Sequence, residues 1–212
     1  MNDLRKSNMI STRSMYQSDL NEVVHIHLQS FPNFFLTFLG PSFLRILYTG
    51  FINDKTNAIT LVALDIEKEN QVVGFIAGST KPKEFFKILL RKNWPRFGLA
   101  VLMRCINQPS TIKKIYHNVK MRLKNGAYSV DGAELSSIAV LPEYQNKHVG
   151  KQLIDAFLKE LNKRGIRSVY LTTDKFNNDK VNSFYLRNGW SLEKSFVTPL
   201  GREINLYTKE IA

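Results

Sequence analysis

The chain has 212 residues, 43% of them hydrophobic, which is enough for one domain with a sizeable core. No apolar run approaches the roughly 18 residues that cross a bilayer, and the start Met1-Asn-Asp-Leu-Arg-Lys lacks the apolar run of an export signal. With Cys105 as the one cysteine an internal disulfide is excluded, so a reducing, cytoplasmic setting is expected.

In chain order, a strand is expected over residues 9–15. A helix capped at Ser18-Asp19 follows, carrying Val23, Val24, Ile26, His27 and Leu28 and broken at Phe31-Pro32. His25 and His27, two apart, point to different faces, and no other His, Cys, Asp or Glu stands at metal-ligand spacing, so no metal is expected. An apolar segment over 34–52 is interrupted at Gly40-Pro41. Residues 59–66 and 71–79 read as two strands joined by a hairpin at Glu67-Lys-Glu-Asn70.

Residues 81–124 then carry 12 Lys and Arg against one acid, Glu84. That is +11 of the chain's net +12. Apolar and aromatic residues are interleaved with these bases, so the stretch is not a disordered tail. It reads as an insertion over about 81–128 containing two amphipathic helices, roughly 82–92 and 109–122, with an apolar piece between them. Three readings compete for it. It is a solvated face, an electrostatic guide for an anionic ligand, or a peripheral contact with an anionic membrane.

From Glu134 to Val140 a short β-rich run leads into Pro142-Glu-Tyr-Gln145-Asn146-Lys147-His148-Val149-Gly150-Lys151, and then a helix patterned by Leu153, Ile154, Phe157, Leu158 and Leu161. A helix start presents unpaired N–H groups and the positive end of the dipole, a seat for a phosphate or pyrophosphate. Gly150 allows close approach, and Lys147 and Lys151 add charge. A strand over 168–173 follows. Next comes a helix opened by Asn178 and bearing Val181, Phe184 and Tyr185 on one face; Asn188-Gly189 closes it in a left-handed cap. Residues 191–198 and 202–209 read as a last hairpin around Pro199-Leu-Gly201. No nucleophile elbow appears, and Cys105 reads as buried rather than nucleophilic.

Gln145-x-x-His148-x-Gly150 resembles the Gln/Arg-x-x-Gly-x-Gly/Ala loop of the GNAT superfamily of acetyl-CoA-dependent N-acyltransferases, with His148 in place of the first glycine. Asn178-x-x-Val181-x-x-x-Tyr185-x-x-x-Gly189-Trp190 is similar to the family's second signature, Asn-x-x-Ala-x-x-x-Tyr-x-x-x-Gly-Phe. Together the two motifs span roughly residues 130–209. The resemblance implies an α/β (α+β) fold over a single domain, residues 1–212: a mixed, strongly twisted sheet with helices on both faces, plus the basic insertion.

It further implies that residues Gln145, Asn146, Lys147, His148, Val149, Gly150 and Lys151 hold the pyrophosphate of acetyl-CoA. Ile138, Ala139 and Val140 would grip the pantetheine arm, with the Val140 N–H facing the oxyanion; Asn178 would meet the same arm.

Amide formation needs a base for the ammonium proton and an acid for the leaving thiolate. Glu134 lies 11 positions before Gln145, the offset at which the family's histone acetyltransferases carry their general-base glutamate, and is read as sharing a strand face with Ser136 and Ile138; the resemblance makes it the candidate base, with an exposed strand-end carboxylate as the competing reading. Tyr185 matches the family tyrosine positioned near the thioester sulfur, and the resemblance makes it the candidate acid, against a core aromatic. Direct transfer to a primary amine is expected, in a monomer or homodimer, with a small-molecule acceptor that is anionic or phosphate-bearing and no nucleic-acid partner. The segment from Phe31 to Tyr48 looks like that of family members associated with bacterial polysaccharide synthesis, which points to an amino sugar on a nucleotide carrier. The alternatives are a protein N-terminus, a lysine, a small amine, or an acyl-CoA-binding module without turnover.

Overall fold

The computed structural model describes residues 10–32, 34–107, 131–198 and 201–211. Strand β1 (Ile10–Ser14) is followed by helices α1 (Leu20–Ser30), α2 (Phe35–Leu39) and α3 (Pro41–Asn53), then strands β2 (Ala58–Asp65) and β3 (Gln71–Ser79). Helix α4 (Pro82–Asn107) precedes β4 (Ala133–Val140), α5 (Val149–Lys163), β5 (Ser168–Asp174), α6 (Asp179–Arg187), β6 (Ser191–Val197) and β7 (Glu203–Glu210). The strands form one seven-stranded sheet in the order β1-β2-β3-β4-β5-β7-β6. Neighbours are antiparallel except β4 and β5, which run parallel.

The apolar segment over 34–52 is two helices because Gly40, at φ 89°, turns the chain and Pro41 opens the next helix at its first position. Helix α1 starts through a 3₁₀ turn, Gln17–Asp19, and not through a side-chain cap. The Asp19 carboxylate instead accepts from the Arg13 guanidinium at 2.7 and 2.9 Å and from the Tyr16 N–H at 2.7 Å, tying β1 to the helix.

The basic insertion also differs from expectation. One helix of 26 residues runs from Pro82 to Asn107, straight through Pro95, and the apolar piece after residue 92 is helical too. Tertiary packing overrides the local breaker: Phe85 stacks on Phe51 of α3 at 4.2 Å between ring centres, and Phe97 meets Phe43 at 4.5 Å. The second expected helix, at 109–122, lies outside the described residues.

Helices α1 and α3 cover one face of the sheet, where Tyr48 packs edge-on to Phe75 at 5.2 Å. On the other face Leu153, Phe157 and Leu161 of α5 are fully buried, and a side chain added at Gly74 would meet Leu153 Cδ1 at 3.3 Å. Beneath β4 on the α1/α3 face, His27 Nδ1 lies 2.7 Å from the Tyr48 hydroxyl, which Ser137 also bonds.

Burial pushes His27 down to about 4 from an ordinary value of 6.5. The folded value lies below the unfolded one, so the unfolded chain binds more protons between them. Stability is therefore complete above pH 6.5 and is lost as pH falls toward 4, by about 3 kcal/mol at 1.36 kcal/mol per unit. Denaturant melts at pH 7, 5.5 and 4 should show that loss in the native chain and a much smaller one in His27→Gln. Equal losses in both chains would contradict this origin.

Candidate active site

After β4 the chain makes a 3₁₀ turn, Pro142–Tyr144, pinned to the sheet by the Tyr144 hydroxyl donating to Asp65 Oδ2 at 2.6 Å. Asn146 (φ 62°) and His148 (φ 59°) then adopt left-handed backbone on either side of Lys147. Such alternation gathers successive N–H groups into a concavity, here opening into the start of α5. Among the described residues, the first amide past Gln145 to find a backbone acceptor is that of Gln152, which donates to His148 O at 3.0 Å as the first rung of the α5 ladder. The amides from Asn146 to Lys151 thus converge on an exposed turn at the positive end of a 15-residue helix.

Of the two lysines, Lys147 holds its ammonium 4.8 Å from the Tyr144 ring centre beside this seat. Lys151 is paired with Asp155 at 2.6 Å. Gly150 has a packing reason as well: a Cβ there would sit 3.3 Å from Phe184 Cζ of α6. His148 carries a strain that glycine would not, about 1–2 kcal/mol for a non-glycine residue in this region. His148→Gly should therefore raise the unfolding free energy by about 0.5–1 kcal/mol in urea melts, net of the entropy glycine adds to the unfolded chain. An unchanged or lowered value would contradict the strain.

The seat opens onto a cleft within the sheet. Strands β4 and β5 pair only at Ala133↔Val169 and Glu134↔Tyr170, then part. The N–H of Leu141 donates to Val73 O at 2.9 Å, so by antiparallel alternation the main-chain groups of Val140 and Ile138 point away from β3 and into this gap. Gln145 Nε2 reaches Val140 O at only 3.5 Å. Extended strand edges need partners, and a chain-like ligand running along β4 would supply them. The backbone groups of Ala139, by contrast, face β3.

Glu134 stands at the closed end of the cleft. The pairing shifts between Ala77↔Ser137 and Gly78↔Leu135, leaving Ser136 as the extra residue of a bulge. Because the bulge inverts the alternation, Ile138 and Val140 project toward α5. Glu134 shares its face instead with Ser137 and with Ser79, its β3 partner. The expected common face of Glu134, Ser136 and Ile138 is therefore corrected. Tyr170 stands opposite Glu134, its phenol raised by burial and then by the Glu134 charge. Ser136 Oγ is buried with no partner among the described residues.

Tyr185 is 5% exposed, edge-on to Trp190 at 5.7 Å and tilted against Tyr207 at 5.7 Å. Burial raises its phenol, so it holds its proton at neutral pH. Its helix ends as expected: Gly189 (φ 74°) lets the Trp190 N–H reach Tyr185 O at 3.1 Å. Asn178 opens α6 without capping it. Its Nδ2 donates back to Thr173 Oγ1 (2.8 Å) and Asp174 O (3.0 Å). Asn182, one turn on, donates to Asp174 O and accepts from the Tyr207 hydroxyl at 3.0 Å, so two amides clamp the end of β5 where it leaves β4.

Sequence reasoning missed Tyr170 and Asn182. Finding Tyr170 requires the β4–β5 register; Asn182 could have been found one turn after Asn178.

Comparison with known proteins bears on this arrangement. The profile of the acetyltransferase (GNAT) family matches residues 20–190. Among solved structures, the chain is similar to Ard1 from Thermoplasma volcanium (16% identity, 96% of this chain and 99% of that one, TM-score 0.60). It is also similar to the PaiA N-acetyltransferase from Thermoplasma acidophilum in complex with coenzyme A (17%, 95% and 98%, TM-score 0.57). A third is the ribosomal-protein-S18-alanine N-acetyltransferase from Escherichia coli (15%, 96% and 95%, TM-score 0.57). At these identities the likeness is one of fold. No curated protein matches the chain in sequence comparison.

Proposed function

Because the chain belongs to the acetyltransferase (GNAT) family, and so is an N-acetyltransferase using acetyl-CoA, we propose that its acetyl transfer runs along the β4–β5 cleft. The single observation that carries this reading is the junction of that cleft with the N-terminus of α5. One end offers a cluster of unpaired amides, the middle an unpaired strand edge, and the closed end a carboxylate.

The diphosphate of acetyl-CoA sits on the amides of Asn146 to Lys151, flanked by Lys147. The pantetheine arm lies along Ile138, Ala139 and Val140, bonded to the main chain of the first and last. Asn178, its Nδ2 committed to β5, presents its carbonyl oxygen to the arm. The thioester then reaches toward the bulge. Glu134 takes a proton from the acceptor ammonium, and the free amine attacks the thioester carbonyl carbon. The oxyanion falls to the Ile138 N–H, which points into the same gap two residues nearer the bulge than the expected Val140 donor. Collapse breaks the C–S bond as the thiolate takes the Tyr185 proton; the second proton on the acetylated nitrogen then replaces it on the phenolate, and Glu134 gives its own to solvent.

The acceptor is a primary amine on an anionic carrier, for which a nucleotide-linked amino sugar is the proposed class. Two features support this. Residues 81–124 hold +11 of the chain's charge. Helix α4 also begins three residues after Ser79, the β3 partner of Glu134, so its basic first turns start beside the base. Thiol release from acetyl-CoA, measured across amino-sugar nucleotides, polyamines and peptides, tests it. Sugar nucleotides should give the highest kcat/KM. A preference for peptide or polyamine amines would replace the acceptor class, and no release with any amine would leave an acyl-CoA-binding module.

A further inference from the structure

Fourteen large hydrophobic side chains are exposed among the described residues, and seven of them stand on α4. In its second half Leu99, Leu102, Met103 and Ile106 are 51–65% exposed and spaced i, i+3, i+4 and i+7, a single outward stripe. The inward side of the same helix is already satisfied, with Phe85, Leu89, Phe97 and Ala100 buried against the body. The stripe is therefore not a core face that has missed its partner.

Charge is divided along the helix. Lys83, Lys87, Arg91, Lys92 and Arg96 all lie at or before Arg96. Beyond it the helix has only Arg104, whose Nε donates to Phe38 O at 3.1 Å. Trp94, 71% exposed, stands near the end of the basic part.

A second copy of the chain is a poor occupant of this face. A two-fold contact with the helices parallel would set Arg91, Lys92 and Arg96 against the same cations of its mate, and one with them antiparallel would set these cations against the mate's apolar stripe; the helix has only Glu84 to offset them, for a helix charge of +5 (six bases, one acid). A layer with acyl chains below and phosphates at its rim complements both parts at once. No helix among the described residues is long and apolar enough to cross a membrane, so contact would lie in the plane of the surface.

We propose that α4 docks flat on an anionic bilayer. Leu99, Leu102, Met103 and Ile106 enter the acyl boundary, Trp94 sits at the interface, and Arg91, Lys92 and Arg96 lie among the headgroup phosphates.

The test is co-sedimentation of the full chain with phosphatidylcholine vesicles, with or without phosphatidylglycerol. It is read beside tryptophan emission, since Trp190 is 2% exposed and a shift reports on Trp94. Binding to the anionic vesicles alone, a move of emission to shorter wavelength, and reversal of both at high salt are expected. Arg91→Gln with Lys92→Gln should weaken binding about 30-fold, at about 1 kcal/mol for each charge removed. Leu102→Asp with Ile106→Asp should abolish binding while leaving acetyl-CoA turnover on a soluble acceptor unchanged.

Three results would overturn the proposal. In one, the chain stays in the supernatant with unmoved emission. In another, the double aspartate variant binds as tightly as the native chain. In the third, light scattering finds a dimer that this variant dissociates and that ignores vesicles, which assigns the face to a second copy.

Discussion

Glu134→Gln is expected to lower kcat/KM by about 10²–10⁴, the usual worth of a positioned general base, while the acetyl-CoA dissociation constant stays within about twofold. The substitution keeps shape and hydrogen-bonding capacity and removes only proton acceptance. Position is the reason to expect so large an effect. Glu134 lies at the last β4–β5 pair, where the strands part, and on the face from which α4 rises. Tyr170 beside it has its phenol raised partly by the Glu134 charge, so both groups share one partly desolvated site. The loss should be largest at low pH, where the acceptor amine is most fully protonated. Activity within about threefold of the native chain across the pH range would remove Glu134 from the role of base.

Gly150→Asp is expected to raise the acetyl-CoA dissociation constant by 100-fold or more. A carboxylate in the first turn of α5 competes for the amides and the dipole that would hold the diphosphate, and it repels the ligand's charge. Packing must be separated from charge, because any Cβ at this position meets Phe184 Cζ at 3.3 Å. Gly150→Ala makes the same contact without the charge. If the seat is electrostatic, the alanine variant should lose several-fold at most while the aspartate variant loses binding. Equal losses in both would mean that the glycine serves the α5–α6 contact, and that the diphosphate lies elsewhere.

Much of the scaffold was legible because its signals are local. The two motifs placed a strand, a loop and a helix in order, and His148, standing where the family pattern has its first glycine, takes the left-handed φ of 59°. Gly189 closing α6 was likewise readable from Asn188-Gly189 and its spacing to Tyr185. What stayed hidden depends on partners distant in the chain. The bulge at Ser136 turns Glu134 to the face opposite Ile138, and nothing within residues 134–140 announces it; the shift exists only against Ala77 and Gly78 of β3. The parting of β4 from β5 depends on the register of two strands whose paired residues, such as Ala133 and Val169, are far apart in the chain. The helix expected to stop near residue 92 runs on to Asn107 as α4, through Pro95 and Gly98, because Phe85, Leu89 and Phe97 anchor it on α3. Asn178 has the residue type of a cap and spends its amide on β5 instead, a choice made by the nearness of Thr173 and Asp174.

The most direct test is a crystal structure with acetyl-CoA bound. Diphosphate oxygens at about 2.9 Å from main-chain nitrogens between Asn146 and Lys151, with the arm bonded to Ile138 and Val140, are the expected result. A coenzyme bound elsewhere, with those amides still facing solvent, would contradict the account.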